Sequence, residues 1–377
     1  MSPTKCLLIV DDEEEIRENL RDFADFKGFD VLEAANGRQA LERLRDNTPD
    51  LIISDLMMPE MGGIEFLQHL SKEGNEIPVV IMTAFGTMES AIEAMKTGAS
   101  DFISKPIDLP YMMKVVERVL HISEIEQRVK EQQRQLDEDL HHAGRIQRCL
   151  LPAPIEMPRL KLDYRFEPLI AIGGDYLTVH QFNDDALTAS LYDVSGHGVS
   201  AALTANLVYA QLLQRIAENH PPFETVSLLN RFIHDQIQET SMFITLALVH
   251  IDLNKNELTC TNAGHPEIYI WRANTQSLES ISSHLPPVGV APTFLGDDTH
   301  TTVNIAPGDR IFLYTDGFIE ARNQAGKMLG KIGLQNMITQ FSALPSSEFL
   351  DNIYDEVKTY HHGDIDDDLT FLIIDIL

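Results

Sequence analysis

Through residues 5–120, short apolar runs alternate with amphipathic segments, and this alternation restricts the possible folds more than any other feature of the chain. The runs fall at residues 6–10, 29–33, 51–54, 79–82 and 102–104, and helical patterns at 16–26, 38–45, 64–70 and 88–97 lie between them. Such runs are too short for helices but long enough for strands covered on both faces. Strand and helix in regular succession predict an α/β doubly wound sheet of five parallel strands. Working residues in such sheets gather at the carboxyl ends of the strands. Asp11, Asp12, Asp55, Thr83 and Lys105 each follow a predicted strand directly.

A helix is predicted from Asp108, a polar N-cap with Pro110 in the first turn. No proline interrupts it before Pro152, and Val115, Ile122, Val129, Leu136, Ala143 and Leu150 recur at every seventh position. The heptad predicts a long coiled-coil-like linker helix and a parallel homodimer through residues 115–150. The intervening positions are mixed: Ile125 and Ile146 are apolar, whereas Arg118, Gln132 and Asp139 are not. One long helix packed against its own domains is the competing reading. Beyond Leu151, β-rich runs at 162–166, 187–192, 243–251, 258–261, 268–271, 302–305, 310–314 and 369–376 dominate, with helical patterns at 199–216, 223–238 and 346–357. Strand runs with segregated helices predict an α+β sandwich of two antiparallel sheets with helices outside. The expected domains are 1–121, a helical linker at 122–150, and 151–377.

Charge excludes several classes of partner. Acidic residues number 58 against 29 Lys and Arg, a formal charge of −29, and such a field repels phosphate backbones and anionic membranes. No nucleic-acid partner is expected. No stretch approaches the ~18 apolar residues of a membrane span, and the first residues lack the apolar run and flanks of a secretory signal. A cytoplasmic location is the expectation. Cys6, Cys149 and Cys260 fall at no spacing typical of metal sites or disulfides.

The first acidic set has a chemical logic. A carboxylate that accepts a phosphoryl group meets charge repulsion, which a divalent cation must neutralise. Asp12 and Asp55 would hold Mg²⁺ with a backbone oxygen, and Asp11 would complete the acidic pocket. Lys105 would pair with the new phosphate, and the Thr83 hydroxyl would donate to it. A lone Asp after a strand is usually a turn or a helix cap. Here the acidic pair, IISDLMMPEMGG, MTAFG and DFISKP occur in order, each at a predicted strand end. On these motifs residues 4–121 resemble the response-regulator receiver family. The resemblance implies that a cognate histidine kinase phosphorylates Asp55, that Met57 offers Mg²⁺ its backbone carbonyl, and that Thr83 and Phe102 form a switch pair.

A second acidic set lies in GGDY (173–176), DVSGHG (193–198), YTDG (314–317) and DDDLT (366–370). Asp193 and Asp316 follow predicted strands, Asp367 precedes the last one, and Asp175 follows a glycine pair that permits a tight turn. Converging carboxylates suit hard cations such as Mg²⁺ or Mn²⁺. Two such ions about 3.5–4 Å apart can activate a shared water for attack on phosphorus. Singly each motif is weak: Asp193 could cap the helix from Val199, and His197 reads as a satisfied loop histidine rather than a ligand or acid. With Ala143–Pro152 in the pattern A-x-x-I-Q-x-x-L-L-P and NAGHP at 262–266, residues 140–377 resemble the bacterial stress-response and sporulation branch of the type 2C, metal-dependent protein serine/threonine phosphatases.

That resemblance implies that Asp193 bridges two Mn²⁺ or Mg²⁺ ions, with the Val194 carbonyl as a further ligand. Asp175 would serve one ion, and Asp316 and Asp367 the other, if Asp367-Asp368-Leu369-Thr370 is the aligned stretch rather than one shifted to Asp366 or Asp368. Where the family continues its first motif with an aromatic residue and an aspartate, this chain has Leu177 and Thr178. NAGHP reads as a structural turn, and Ala201, Ala202 and Ala205 as small residues for close packing. The implied function is a response regulator with phosphatase output, activated by phosphorylation of Asp55. Its implied substrate is a phosphoserine on an anti-sigma-factor antagonist protein. The competing reading is a non-catalytic adaptor that binds a sigma factor or anti-sigma factor.

Overall fold

The computed structural model describes residues 4–83, 88–237, 242–294, 300–361 and 367–377. Ala84, Phe85 and Gly86 of the MTAFG motif, Gln238 and Asp366 lie outside the described residues. The chain divides into two compact units, Met1–Leu136 and Asp137–Leu377.

In the first unit the short apolar runs are strands, the three central ones covered along nearly their whole length and the two edge ones only in part. They are β1 (Cys6–Val10), β2 (Asp30–Ala34), β3 (Leu51–Asp55), β4 (Val79–Thr83) and β5 (Asp101–Ser104). All pairs are parallel, in the order β2-β1-β3-β4-β5. Between them run α1 (Glu14–Phe26), α2 (Gly37–Asp46), α3 (Gly63–Lys72) and α4 (Met88–Thr97), followed by α5 (Leu109–Leu150). Alternate residues of each strand face opposite sides of the sheet. Leu7, Ile9, Ile53, Val80 and Met82 pack with Leu20 of α1 and with Met112, Val115, Val116 and Val119 of α5. Leu8, Val10, Ile52 and Ile81 pack with Ala40, Phe66, Leu67 and Leu70 of α2 and α3. The five-stranded doubly wound expectation holds. Asp55 and Thr83 prove to be the last residues of β3 and β4 rather than the residues after them.

The Asp108 carboxylate accepts the Tyr111 N–H at 3.1 Å, as its capping role requires. The helix it opens runs 42 residues without a break. Among the described residues no helix is long and apolar enough to cross a membrane.

The second unit continues with β6 (Ile155–Met157), β7 (Leu160–Glu167), β8 (Tyr176–Asn183), β9 (Ala186–Val194), α6 (Val199–Ala217), α7 (Pro222–Ile237), β10 (Ile244–Asp252), β11 (Glu257–Ala263), β12 (Ile268–Arg272) and β13 (Ser277–Ile281). It closes with β14 (Thr301–Asn304), β15 (Arg310–Tyr314), α8 (Gly317–Glu320), α9 (Gly330–Phe341), α10 (Ser346–Tyr360) and β16 (Leu369–Ile376). Two sheets form, in the orders β14-β11-β10-β9-β8 and β13-β12-β15-β16-β7-β6, with every named pairing antiparallel. Leu187, Ala189, Leu191, Ala247 and Val249 of one sheet meet Leu162, Ile270, Ile311, Leu313 and Leu372 of the other. The opposite faces pack outward, Tyr192, Leu246 and Leu248 against α6 and α7, and Phe312, Tyr314 and Phe371 against α8, α9 and α10. This is the two-sheet sandwich with helices outside.

Candidate active site

Two acidic sites occupy the strand ends. In the first unit Asp11 is fully buried, Asp55 nearly so and Asp12 exposed. One oxygen from each can lie within 4.8 Å of the others, a set compatible with one divalent cation. Lys105 Nζ stands 2.9 Å from both Asp11 Oδ2 and Asp55 Oδ2. Burial raises the pKa of Asp55, and the Lys105 bonds offset only part of that rise. Burial would lower Lys105, but its hydrogen bonds to Asp55 and Asp11 outweigh that and hold the ammonium above its ordinary value. Thr83 is buried at the same sheet edge, the Phe102 ring is 43% exposed, and the Met57 side chain is 77% exposed.

The second site forms where β9 and β15 end and β16 begins. Asp193 lies inside β9, paired with Thr245, because that strand continues to Val194; the expectation that it follows the strand is corrected. It caps no helix, since Gly198 occupies the N-cap of α6. Asp175 immediately precedes β8 and is almost wholly buried. Its Oδ2 accepts the hydroxyls of Thr315 and Thr370, both at 2.7 Å. Asp316 caps the short α8, and Asp367 is exposed two residues before β16.

These carboxylates repel one another. Burial pushes Asp193 up to about 8, with Asp316, Asp367 and Asp368 adding to the rise. Burial, then Asp193 and Asp368, drives Asp175 well above the carboxylate range. Burial raises Asp367 to about 6, and Asp316 is raised by burial and by Glu320. Among the described residues no ion pair reaches Asp175, Asp193, Asp316 or Asp367. A donor set of oxygens, partly buried and without a counter-charge, fits hard divalent cations. As a set these residues stand wider apart than the triple of the first unit, which among the described residues is the one acidic group gathered within 4.8 Å.

The glycine pair before Asp175 does different work from the tight turn expected of it. Neither Gly173 nor Gly174 has a positive φ. A Cβ on Gly173 would instead lie 2.6 Å from Asp368 Oδ2, so the residue is small to let that side chain in. The sequence offered Asp368 only as an alternative to Asp367 in the metal set, not as a tether for this loop. Its carboxylate accepts the N–H groups of Leu169 at 2.7 Å, Gly174 at 2.7 Å and Asp175 at 3.3 Å, which ties the loop to the start of β16. The run of three aspartates was the signal, and Thr315 and Thr370 were visible within YTDG and DDDLT. His197 is exposed. His265 of NAGHP is buried and receives or donates a hydrogen bond at Thr245, 2.8 Å away, in the turn between β11 and β12.

Comparison with known proteins follows the same division. The profile of the response regulator receiver domain matches residues 7–117. The family described as Stage II sporulation protein E (SpoIIE) matches residues 183–377, just over half of the chain. Over 221 residues the chain is 31% identical to Regulator of RpoS from Escherichia coli strain K12, covering 56% of this chain and 66% of that protein. It is 36% identical over 130 residues to Regulatory protein AtoC of the same organism, covering 34% of this chain and 28% of AtoC. The chain thus spans about two thirds or less of the length of these relatives. The solved SiaA-PP2C domain of Pseudomonas aeruginosa superposes with a TM-score of 0.57 at 19% identity, covering 65% of this chain and 98% of that one. The RsbU and RsbW domains of Rv1364c from Mycobacterium tuberculosis superpose with a TM-score of 0.53 at 21% identity, covering 60% of this chain and 63% of that one. At these identities the likeness establishes the fold.

Proposed function

The chain belongs to the Stage II sporulation protein E (SpoIIE) family, with a response regulator receiver domain joined to a PP2C-type phosphatase domain, and from that premise we propose that it is a metal-dependent protein serine/threonine phosphatase controlled by phosphorylation of Asp55. One observation carries the catalytic reading. Asp175, Asp193, Asp316 and Asp367 are all raised in pKa by burial, and three of them by one another, with no cation of the protein paired to them among the described residues. Keeping Asp175 and Asp193 ionised at neutral pH needs positive charge from outside the chain.

In this reading Asp193 and the Val194 carbonyl would meet two Mn²⁺ or Mg²⁺ ions, Asp175 would serve one, and Asp316 and Asp367 the other. When bound, such ions lower the pKa of a bridging water and stabilise charge on phosphorus during in-line displacement. The chain's own part is to hold the oxygens in place. Thr315 and Thr370 fix Asp175 by one oxygen, and its Oδ1 takes no hydrogen bond among the described residues. No side-chain nucleophile is required, which agrees with the exposed position of His197.

In the receiver, Asp11, Asp12 and Asp55 with the Met57 carbonyl would hold Mg²⁺. Asp55 would attack the phosphoryl group of a histidine kinase's phosphohistidine, breaking the P–N bond. Lys105, already 2.9 Å from Asp55 Oδ2, is placed to pair with the new phosphate. Thr83 and Phe102 would then report the change. The substrate proposed for the phosphatase is a phosphoserine on an anti-sigma-factor antagonist. Ile122, Val129 and Leu136, each about half exposed at heptad spacing on α5, are proposed as the seam of a homodimer.

The test is phosphate release from a phosphoserine protein. Activity is expected with Mn²⁺ or Mg²⁺ and none with chelator, and Asp193→Asn should lose at least ~100-fold, more than the ~10–100-fold cost of removing a supporting partner. Full activity in Asp193→Asn would remove the proposed bridging role. The non-catalytic adaptor is the second reading, favoured by the wider spacing of this acidic set, of which no three ligand oxygens gather within 4.8 Å among the described residues. A chain that binds no divalent cation in a calorimetric titration of the phosphatase domain's site would select it.

A further inference from the structure

The turn carrying Asp175 is held from behind by the last two turns of α5. Gln147, in that helix, is only 2% exposed. Its carboxamide engages both polar backbone groups of Gly173: Nε2 donates to the carbonyl at 2.9 Å, and the Gly173 N–H donates to Oε1 at 3.1 Å. A side-chain amide can do this because it carries a donor and an acceptor side by side. The Tyr176 hydroxyl donates to the Gln147 carbonyl, and the Tyr209 hydroxyl donates to the Leu150 carbonyl at 2.9 Å. Both carbonyls belong to the final turn, where the helix supplies no partner. A Cβ at Gly144 would collide with the Ala171 carbonyl oxygen, so the helix approaches the loop at backbone distance. The helix end is therefore fastened two residues before Asp175 and one residue after it.

We propose that Gln147 is a positioning residue for the acidic site: its carboxamide sets the 173–175 turn so that the Asp175 carboxylate stands with Asp193, making the C-terminal end of α5 part of the cation site. This deepens the proposed function and rests on that reading of the site. Three features distinguish the contact from ordinary core packing. It is polar, it satisfies both backbone groups of one residue, and that residue lies two positions before the GGDY acid. Asp368 holds the same turn from the opposite side through Gly174 and Asp175, so loss of Gln147 leaves the loop attached but free to shift at Gly173. Because α5 is a single helix from Leu109 to Leu150, any displacement of its last turns is passed to Asp175 by hydrogen bonds rather than through a slack linker.

The experiment is a calorimetric titration of the metal-free, full-length chain with Mn²⁺, in the wild type, Gln147→Leu and Gln147→Glu. Gln147→Leu should bind Mn²⁺ to the phosphatase site about tenfold more weakly, the usual cost of removing a partner that orients a ligand. Gln147→Glu keeps the acceptor for the Gly173 N–H and loses the donor to its carbonyl, so its affinity should fall between the two. In parallel, the Mn²⁺ concentration for half-maximal hydrolysis of p-nitrophenyl phosphate should rise by a similar factor, with kcat recovering at saturating Mn²⁺. A lower melting temperature with unchanged Mn²⁺ affinity would make Gln147 merely structural and overturn the inference. If far-UV circular dichroism shows that Gln147→Leu does not fold, the comparison passes to Gln147→Glu, and unchanged affinity there overturns it. A wild type that binds no Mn²⁺ at this site removes the metal reading and the inference with it, whereas wild-type binding that both variants match removes the inference alone.

Discussion

Partly buried Asp193 and fully buried His265 are shifted in opposite directions, which gives the second unit a characteristic pH response. Desolvation holds the His265 imidazole down at about 3. It stays neutral in the folded chain while the unfolded chain takes up a proton below about 6.5, so its destabilising effect grows only as pH falls through that value. Asp193, pushed up to about 8 by burial and by Asp316, Asp367 and Asp368, behaves oppositely. The folded chain keeps a proton that the unfolded chain has already lost above about 3.9, so stability falls as pH rises towards 8. Between pH 6.5 and 8 only the carboxylate effect remains. The metal-free protein should lose stability on the order of 1 kcal/mol across that window, read by chemical denaturation, and Asp193→Asn should make the profile shallower. Saturating Mn²⁺ should also flatten it, because a bound cation keeps the carboxylate deprotonated. A flat profile in the metal-free wild type would contradict the crowding of these acids. The acids themselves were legible in the sequence because each borders a strand. The tethering role of Asp368 was not, since it accepts three backbone N–H groups from a loop nearly 200 positions away, and no local pattern records that.

Among the elements, α5 shows what periodicity conveys and what it leaves open. The heptad and the Asp108 cap read directly as one long helix, and the structure has it. Ile122, Val129 and Leu136 remain 49%, 58% and 51% exposed, whereas Val115 is buried in the receiver core. A stripe of that kind on one helix is stabilised by a second copy of itself. Replacing Val129 and Leu136 together with Lys should yield a monomer by light scattering while leaving the helical circular dichroism of each unit intact. A variant that stays dimeric would place the contact elsewhere. The strands overlooked in the sequence share one physical trait. β6, β8 and β13 all lie at sheet edges, where one side of the ladder and often one face meet water. β8 (YLTVHQFN) and β13 (SLESI) therefore carry polar residues where a central strand would not, and the apolar run that marks a strand is missing. The central strands β1, β3, β10 and β15 were visible because both faces are buried.

For the whole molecule, the change of texture near Leu151 was enough to separate a parallel sheet with helices between its strands from an antiparallel sandwich with helices outside, because period and strand spacing differ between the two. The presence of two acidic sets was also legible, since each falls at strand ends of its own unit, the second drawn from both sheets of the sandwich. The fastening of the end of α5 to the Asp175 turn was not, because Gln147, Gly144 and Tyr176 meet that turn only by folding. The central claim is that a phosphoryl group on Asp55 governs a cation-dependent phosphatase on the same chain. The most direct measurement is the initial rate of Mn²⁺-dependent phosphate release from a phosphoserine protein, before and after phosphorylation of Asp55 by a small-molecule phosphodonor, with Asp55→Asn as the control. The account predicts a rate that rises on phosphorylation in the wild type alone and vanishes with chelator. A rate indifferent to Asp55, or no metal-dependent release in either state, would contradict it.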